Sequence, residues 1–113
     1  MLKQLVTAVP GAWGAIFVDF EGEAVDLYAV SDAYEVKLAG AHAGLLWNRI
    51  REAGANAGQG ASKSVAVLAA NNHLFVHAVD KDYFVLLAAK PEAHPGLARH
   101  HLAFAVESLK RLL

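Results

Sequence analysis

The segment that most constrains this chain runs from Asp32 to the glycines at Gly54, Gly58 and Gly60. It keeps helical period throughout, yet it carries apolar side chains on two opposite sides of the helix. Tyr34, Leu38, Ala41 and Leu45 fall within about 60° of one another. Val36, Ala39, Ala43, Leu46, Trp47 and Ile50 occupy the other side. Polar strips separate the two stripes, with Glu35, His42 and Arg49 on one flank and Lys37, Asn48 and Arg51 on the other. One stripe can cover the domain's own sheet. In a chain of 113 residues the other has little left to bury it. The final segment is the internal comparison: Leu97, Ala98, Leu102, Ala105, Leu109, Leu112 and Leu113 form a single stripe opposite Arg99, His100, Glu107, Lys110 and Arg111. That helix needs one neighbour and the middle one needs two. Soluble monomers avoid large exposed apolar patches unless the patch binds something. Self-association through Tyr34, Leu38, Ala41 and Leu45 is therefore expected, in a two-fold dimer because that closure is commonest. The rival cover is the first helix or the glycine-rich stretch folded over the stripe.

The remaining pattern supplies a sheet. Leu2, Leu5, Val6 and Val9 are spaced as a short helix that Pro10-Gly11 ends. Trp13 to Val18 is apolar on both alternating faces, as a central strand must be, and Glu21-Gly22 signals a turn into a return strand from Glu23 to Val30. Asp26 inside that strand marks a wetter face or an edge. Asp32 and Glu35 have the spacing of a helix-capping pair. Three strands follow, Lys63 to Ala70, His73 to Asp80 and Asp82 to Lys90, separated by Asn71-Asn72 and Asp80-Lys81-Asp82, residues that tolerate positive φ in tight turns. Pro91 and Pro95 punctuate a loop before a last helix from Gly96 to Leu113. The order is α-β-β-α-β-β-β-α, read as one domain over residues 1–113. Doubly apolar strands need helices on both faces. The expected fold is α/β of the α+β type, a three-layer α/β/α sandwich on a five-stranded, mostly antiparallel sheet.

Composition bounds the function. Hydrophobic residues make up 56% of the chain, which excludes a disordered chain. Ten basic and eleven acidic residues give a net charge of −1, with no sign of the basic face that nucleic acid requires. Without cysteine there is no disulfide, thiolate metal site or cysteine nucleophile. Met1 to Val6 is interrupted by polar residues, unlike a secretory leader, and Tyr83 to Ala89 is too short to span a bilayer. No membrane partner and a cytoplasmic location are the expectations.

Candidate chemistry fails on spacing. In Gly54 to Ser64, Ala61 and Ser62 separate the last glycine from Lys63, and a helix feeds a strand, the reverse of a phosphate loop. His73 and His77 share a strand face but lie about 13 Å apart, while His100 and His101 are adjacent and diverge. His42 sits alone in a polar strip and His94 in a proline-flanked loop. No metal site and no cofactor are expected. Asp19, Glu21, Glu23, Asp80 and Asp82 gather at turns, where solvation explains them, and Ser31, Ser62 and Ser64 lack the nucleophile-elbow setting. Nothing points to an enzyme.

The sequence resembles the Roadblock/LC7 family, its small prokaryotic members in particular. The likeness is carried by Val9-Pro10-Gly11-Ala12-Trp13-Gly14-Ala15, by Val18-Asp19-Phe20-Glu21-Gly22, by the helix from Asp32, by the strands Leu74 to Val79 and Tyr83 to Ala89, and by Pro95-Gly96-Leu97-Ala98-Arg99. These signatures are structural and cover nearly the whole chain. The resemblance implies a homodimer in which the long helices pack together and the third strands, here bearing Val65 and Val67, join in a ten-stranded sheet. Residues 65 to 70 carry no charge to guard such an edge, which agrees. It also implies a non-catalytic regulator or adaptor that binds a Ras-like small GTPase and modulates its nucleotide cycle. The docking zone would then lie on Glu35, Lys37, His42, Arg49 and Arg51. Solvation is a plainer role for Arg49 and Arg51 than that of an arginine finger. The alternatives are a pure dimeric scaffold, as in the family's motor light chains, and a small-molecule sensor with a pocket in its core. The bulky Trp13, Phe17, Phe75 and Phe84 argue against the sensor because they can fill that core.

Overall fold

The computed structural model describes residues 1–56, 58 and 63–112. Its elements are α1 (Leu2–Ala8), β1 (Ala12–Asp19), β2 (Ala24–Ala29), α2 (Ala33–Asn56), β3 (Ser64–Leu68), β4 (His73–Ala78), β5 (Tyr83–Ala89) and α3 (Pro95–Lys110), in the order expected. The strands form one sheet, β2-β1-β5-β4-β3, and every neighbouring pair is antiparallel.

The two doubly apolar strands, β1 and β5, lie side by side near the middle of the sheet. Their alternation feeds two cores. Ala15, Phe17, Val85, Leu87 and Ala89 pack with Leu2, Leu5 and Val6 of α1 and with Ala98, Leu102, Ala105 and Val106 of α3. Ile16, Val18, Phe84, Leu86 and Ala88 pack on the opposite face with Val36, Ala43 and Trp47 of α2. Three layers result, because a strand period of two sends neighbouring residues to opposite faces. Aromatic rings close the end of the α2 core: Phe20 stacks on Trp47 with centroids 6.5 Å apart and tilts against Phe84 at 5.0 Å.

Helix α2 starts where Asp32 Oδ1 accepts the backbone N–H groups of Tyr34 at 2.9 Å and Glu35 at 3.4 Å. The helix approaches β1 closely at Gly14, where an added Cβ would collide with Val36 Cγ2. Helix α3 begins at Pro95, one residue earlier than the sequence suggested, because His94 is its N-cap and not a loop residue: Nδ1 accepts the Leu97 N–H at 3.1 Å. Proline at the first helical position has no N–H to leave unsatisfied.

Two local expectations change. Strand β3 ends at Leu68, since Ala69 N–H turns back to the Asn72 carbonyl at 3.1 Å. Among the described residues no non-glycine takes positive φ, so the Asn71-Asn72 and Asp80–Asp82 turns do not use left-handed backbone. Asp80 instead shapes its turn through Oδ1, which accepts from Asp82 N–H at 2.7 Å and Tyr83 N–H at 3.0 Å. The turn after β1 does use Gly22, with φ of +96°, while Asp19 Oδ1 accepts from Glu21 and Glu23 N–H. Of the glycine-rich stretch considered as a phosphate loop, residues 57 and 59–62 lie outside the described residues.

Candidate functional site

The wheel arithmetic divides α2 as the structure does. Val36 and Ala43 are buried against the sheet and Trp47 is 1% exposed, whereas Tyr34 and Leu45 are 66% and 68% exposed and Leu38 and Ala41 are also exposed. Neither α1 nor any other described residue covers that outer stripe. Leu46 departs from the expected grouping. It sits at the margin of the inward stripe and is 43% exposed, turned toward β3. There His42, Ala43, Leu46 and Trp47 line a crevice of about 90 Å3 with Val65, Val67, Leu74 and Val76. Helix α2 packs over β1, β2 and β5. The β3–β4 half of the same face therefore keeps its apolar side chains partly open, and Val65, Val67 and Leu74 are only half-buried.

The two sheet edges differ. β2 carries Asp26, whose Oδ1 takes the Leu27 N–H at 2.8 Å, and a bulge in which Phe17 faces Asp26 and Val18 faces Ala24, leaving Val25 unpaired. Charges and bulges blunt an edge. β3 is flat in register from Ser64 to Leu68 and has no charged residue. Among the described residues no strand lies beside its outer backbone groups.

The five polar residues expected to dock a partner do not form one cluster. Glu35 lies in the first turn of α2, in a cleft with Trp13, Asn72 and Lys90, and Arg51 lies about 24 Å further along the helix. Lys37, His42 and Arg49 are exposed between them. Arg51 alone is held: its guanidinium carbon stands 4.3 Å from the centroid of the Phe20 ring and Nη2 donates to the Lys81 carbonyl at 3.4 Å.

The histidines do not converge on an ion. His77 Nδ1 lies 3.0 Å from the Ala78 carbonyl, and His73 Nδ1 is buried without a partner among the described residues. Among the described residues no group of three or more His, Cys, Asp or Glu is placed to hold a metal. No helix among them is long and apolar enough to cross a membrane. The bulky aromatics Phe17, Phe75 and Phe84 are spent filling the two cores.

Sequence reasoning missed Leu46 and Leu74 as open surface. Leu46 could have been found from its place at the edge of the inward stripe, about 50° from its centre. Leu74 could not, because its exposure depends on how far α2 reaches across the sheet.

No protein-family model and no curated protein matches the chain by sequence. Solved structures do. A Roadblock/LC7 domain from Streptomyces avermitilis superposes with a TM-score of 0.89 at 22% identity, over 98% of this chain and 92% of the other. MglC from Myxococcus xanthus gives 0.71 at 27% identity, covering 99% and 95%. The gliding protein MglB from Thermus thermophilus gives 0.86 at 15% identity, covering 97% and 83%. The superpositions run over nearly the whole chain: it has the Roadblock/LC7 fold.

Proposed function

We propose that the chain is a cytoplasmic, non-catalytic homodimeric regulator or adaptor that binds a Ras-like small GTPase and modulates its nucleotide cycle. One observation carries the reading. An uncharged, unpaired edge strand, β3, adjoins open apolar surface at Val65, Val67, Leu74 and Leu46. A second copy meeting β3 edge to edge satisfies the free backbone groups of both strands and brings the two bare half-faces together. The dimer interface is then Val65 and Val67 with Leu46 and Leu74, continued by Leu38 and Leu45 on α2. Tyr34 extends the same stripe toward the start of the helix, and Ala41 lies within it. The GTPase half of the reading follows from what the family resemblance implies, with Glu35, Lys37, His42, Arg49 and Arg51 as its docking zone.

Sedimentation equilibrium tests the dimer. Calorimetric titration with a purified Ras-like GTPase, loaded with GDP or with a non-hydrolysable GTP analogue, tests the partner, followed by hydrolysis and exchange rates. Preference for one nucleotide state with a changed rate is the expected result. Binding without a changed rate identifies a scaffold instead, and no binding in either state overturns the GTPase half.

A further inference from the structure

At the end of the sheet where α2 finishes, a cleft of about 400 Å3 gathers charge from four separate elements. Arg51 comes from α2, Lys63 from the residue before β3, Lys81 from the β4–β5 turn and Lys110 from α3. Two carboxylates share the cleft, and both are already engaged. Asp80 accepts two backbone N–H groups of its own turn, and Glu107 lies 3.3 Å from Lys110 Nζ, the only ion pair among the described residues. Arg51, Lys63 and Lys81 therefore have no carboxylate partner among those residues. This local cationic excess stands in a chain whose net charge is −1.

The cleft is also partly preorganised. The Arg51 guanidinium is stacked on Phe20 and tied to the Lys81 carbonyl, so little side-chain freedom remains to be lost when it binds. Trp47 forms part of the wall, and its buried Nε1–H has no hydrogen-bond acceptor among the described residues. A buried donor without an acceptor is uncommon and costs free energy.

The geometry points to this cleft as a docking site for an acidic segment of a protein partner, its carboxylates pairing with Arg51, Lys63 and Lys81. Cations spread over four elements suit several carboxylates along a peptide better than one small oxyanion. The cleft lies within a single copy, so the inference needs neither the dimer nor the GTPase, although Arg51 belongs also to the zone proposed for the GTPase.

The test titrates the 15N-labelled full chain with a hexaglutamate peptide and follows the two indole N–H signals by NMR. Trp47 reports on the cleft. Trp13, whose Nε1 donates to Asn72 Oδ1 at 3.1 Å at the opposite end of β1, is the internal reference. The expected result is a saturable shift of Trp47 with Trp13 unmoved. Affinity should fall about tenfold or more in the Lys63→Glu/Lys81→Glu variant, and severalfold as salt rises from about 0.05 to about 0.3 M. Both lysines are exposed, and Lys63→Ala/Lys81→Ala repeats the measurement without reversed charge should the first variant fold poorly. An unmoved Trp47, an equal shift with hexaglutamine, or unchanged affinity in both variants overturns the inference. So does saturation by inorganic phosphate at the same concentration, which would make this a small-oxyanion site.

Discussion

Replacing Leu46 is the most direct way to separate a partnered α2 from a merely exposed one. Burying a whole leucine side chain contributes about 1.5–3 kcal/mol. Leu46 is 43% exposed in the single copy, so covering the remainder yields about 1 kcal/mol per copy. A two-fold interface uses every residue twice, which makes about 2 kcal/mol per dimer. Leu46→Ala forfeits up to that amount, about thirtyfold in the dimer Kd. Leu46→Glu further places a carboxylate beside Val65, Val67 and Leu74, where the crevice lining is almost wholly apolar. That desolvation adds about 1 kcal/mol or more per copy, bringing the loss to about a thousandfold. Sedimentation equilibrium over a concentration series measures both values, with circular dichroism to show that each variant is folded. Phe104→Ala is the control: Phe104 is 69% exposed on α3, across the sheet from α2, and its loss should leave the dimer intact. Equal dimer affinity for native protein and Leu46→Glu, or a monomeric native protein throughout the series, would refute the reasoning.

Other outcomes test the fold itself. Gly14→Ala drives a methyl group into Val36 and should cost about 1–3 kcal/mol in urea unfolding. His94→Ala removes the acceptor of the Leu97 N–H and should cost about 1 kcal/mol, whereas His94→Asn, itself a strong N-cap, should restore most of it. Trp47→Ala empties the centre of the α2 core and should cost about 3–5 kcal/mol, read as a lowered denaturation midpoint.

The legible part of the fold was what period and apolarity decide. Trp13 to Val18 and Tyr83 to Ala89 read as central strands because each is apolar on alternating sides, and both faces of the sheet are indeed covered there. The surplus stripe on α2 was legible for the same reason. Where one side chain makes a backbone hydrogen bond, composition was silent. Nothing in the run from Glu92 to Leu97 announces that the His94 ring will accept from Leu97, in the space that Gly96 leaves free of a Cβ. The turns at Asn71 and Asp80 were located correctly but given the wrong backbone, because an aspartate can shape a turn through its carboxylate as well as through positive φ. The polar residues of the site were hardest. Exposure on a helix says that Glu35, His42 and Arg51 reach solvent, but only tertiary placement tells which of them meets Phe20 and Lys81.

The unequal edges bear on a further question, why the proposed association should stop at two copies. A sheet with two open edges grows into a fibre, whereas one with a single open edge closes on the same strand of a two-fold-related copy. Strand β2 is shut by three features: the unpaired Val25, the charge of Asp26, and the use of the Leu27 N–H by the Asp26 carboxylate. Asp26→Val removes two of these at once and leaves residues 24 to 29 as an uncharged run of strand-forming residues. The variant should then form species larger than the dimer as concentration rises, seen as growing light scattering, while Asp26→Asn, which keeps a side-chain oxygen that can accept from Leu27 N–H, should grow less. If Asp26→Val stays as discrete as the native protein, the bulge alone guards β2. The charge would then contribute nothing to the closure.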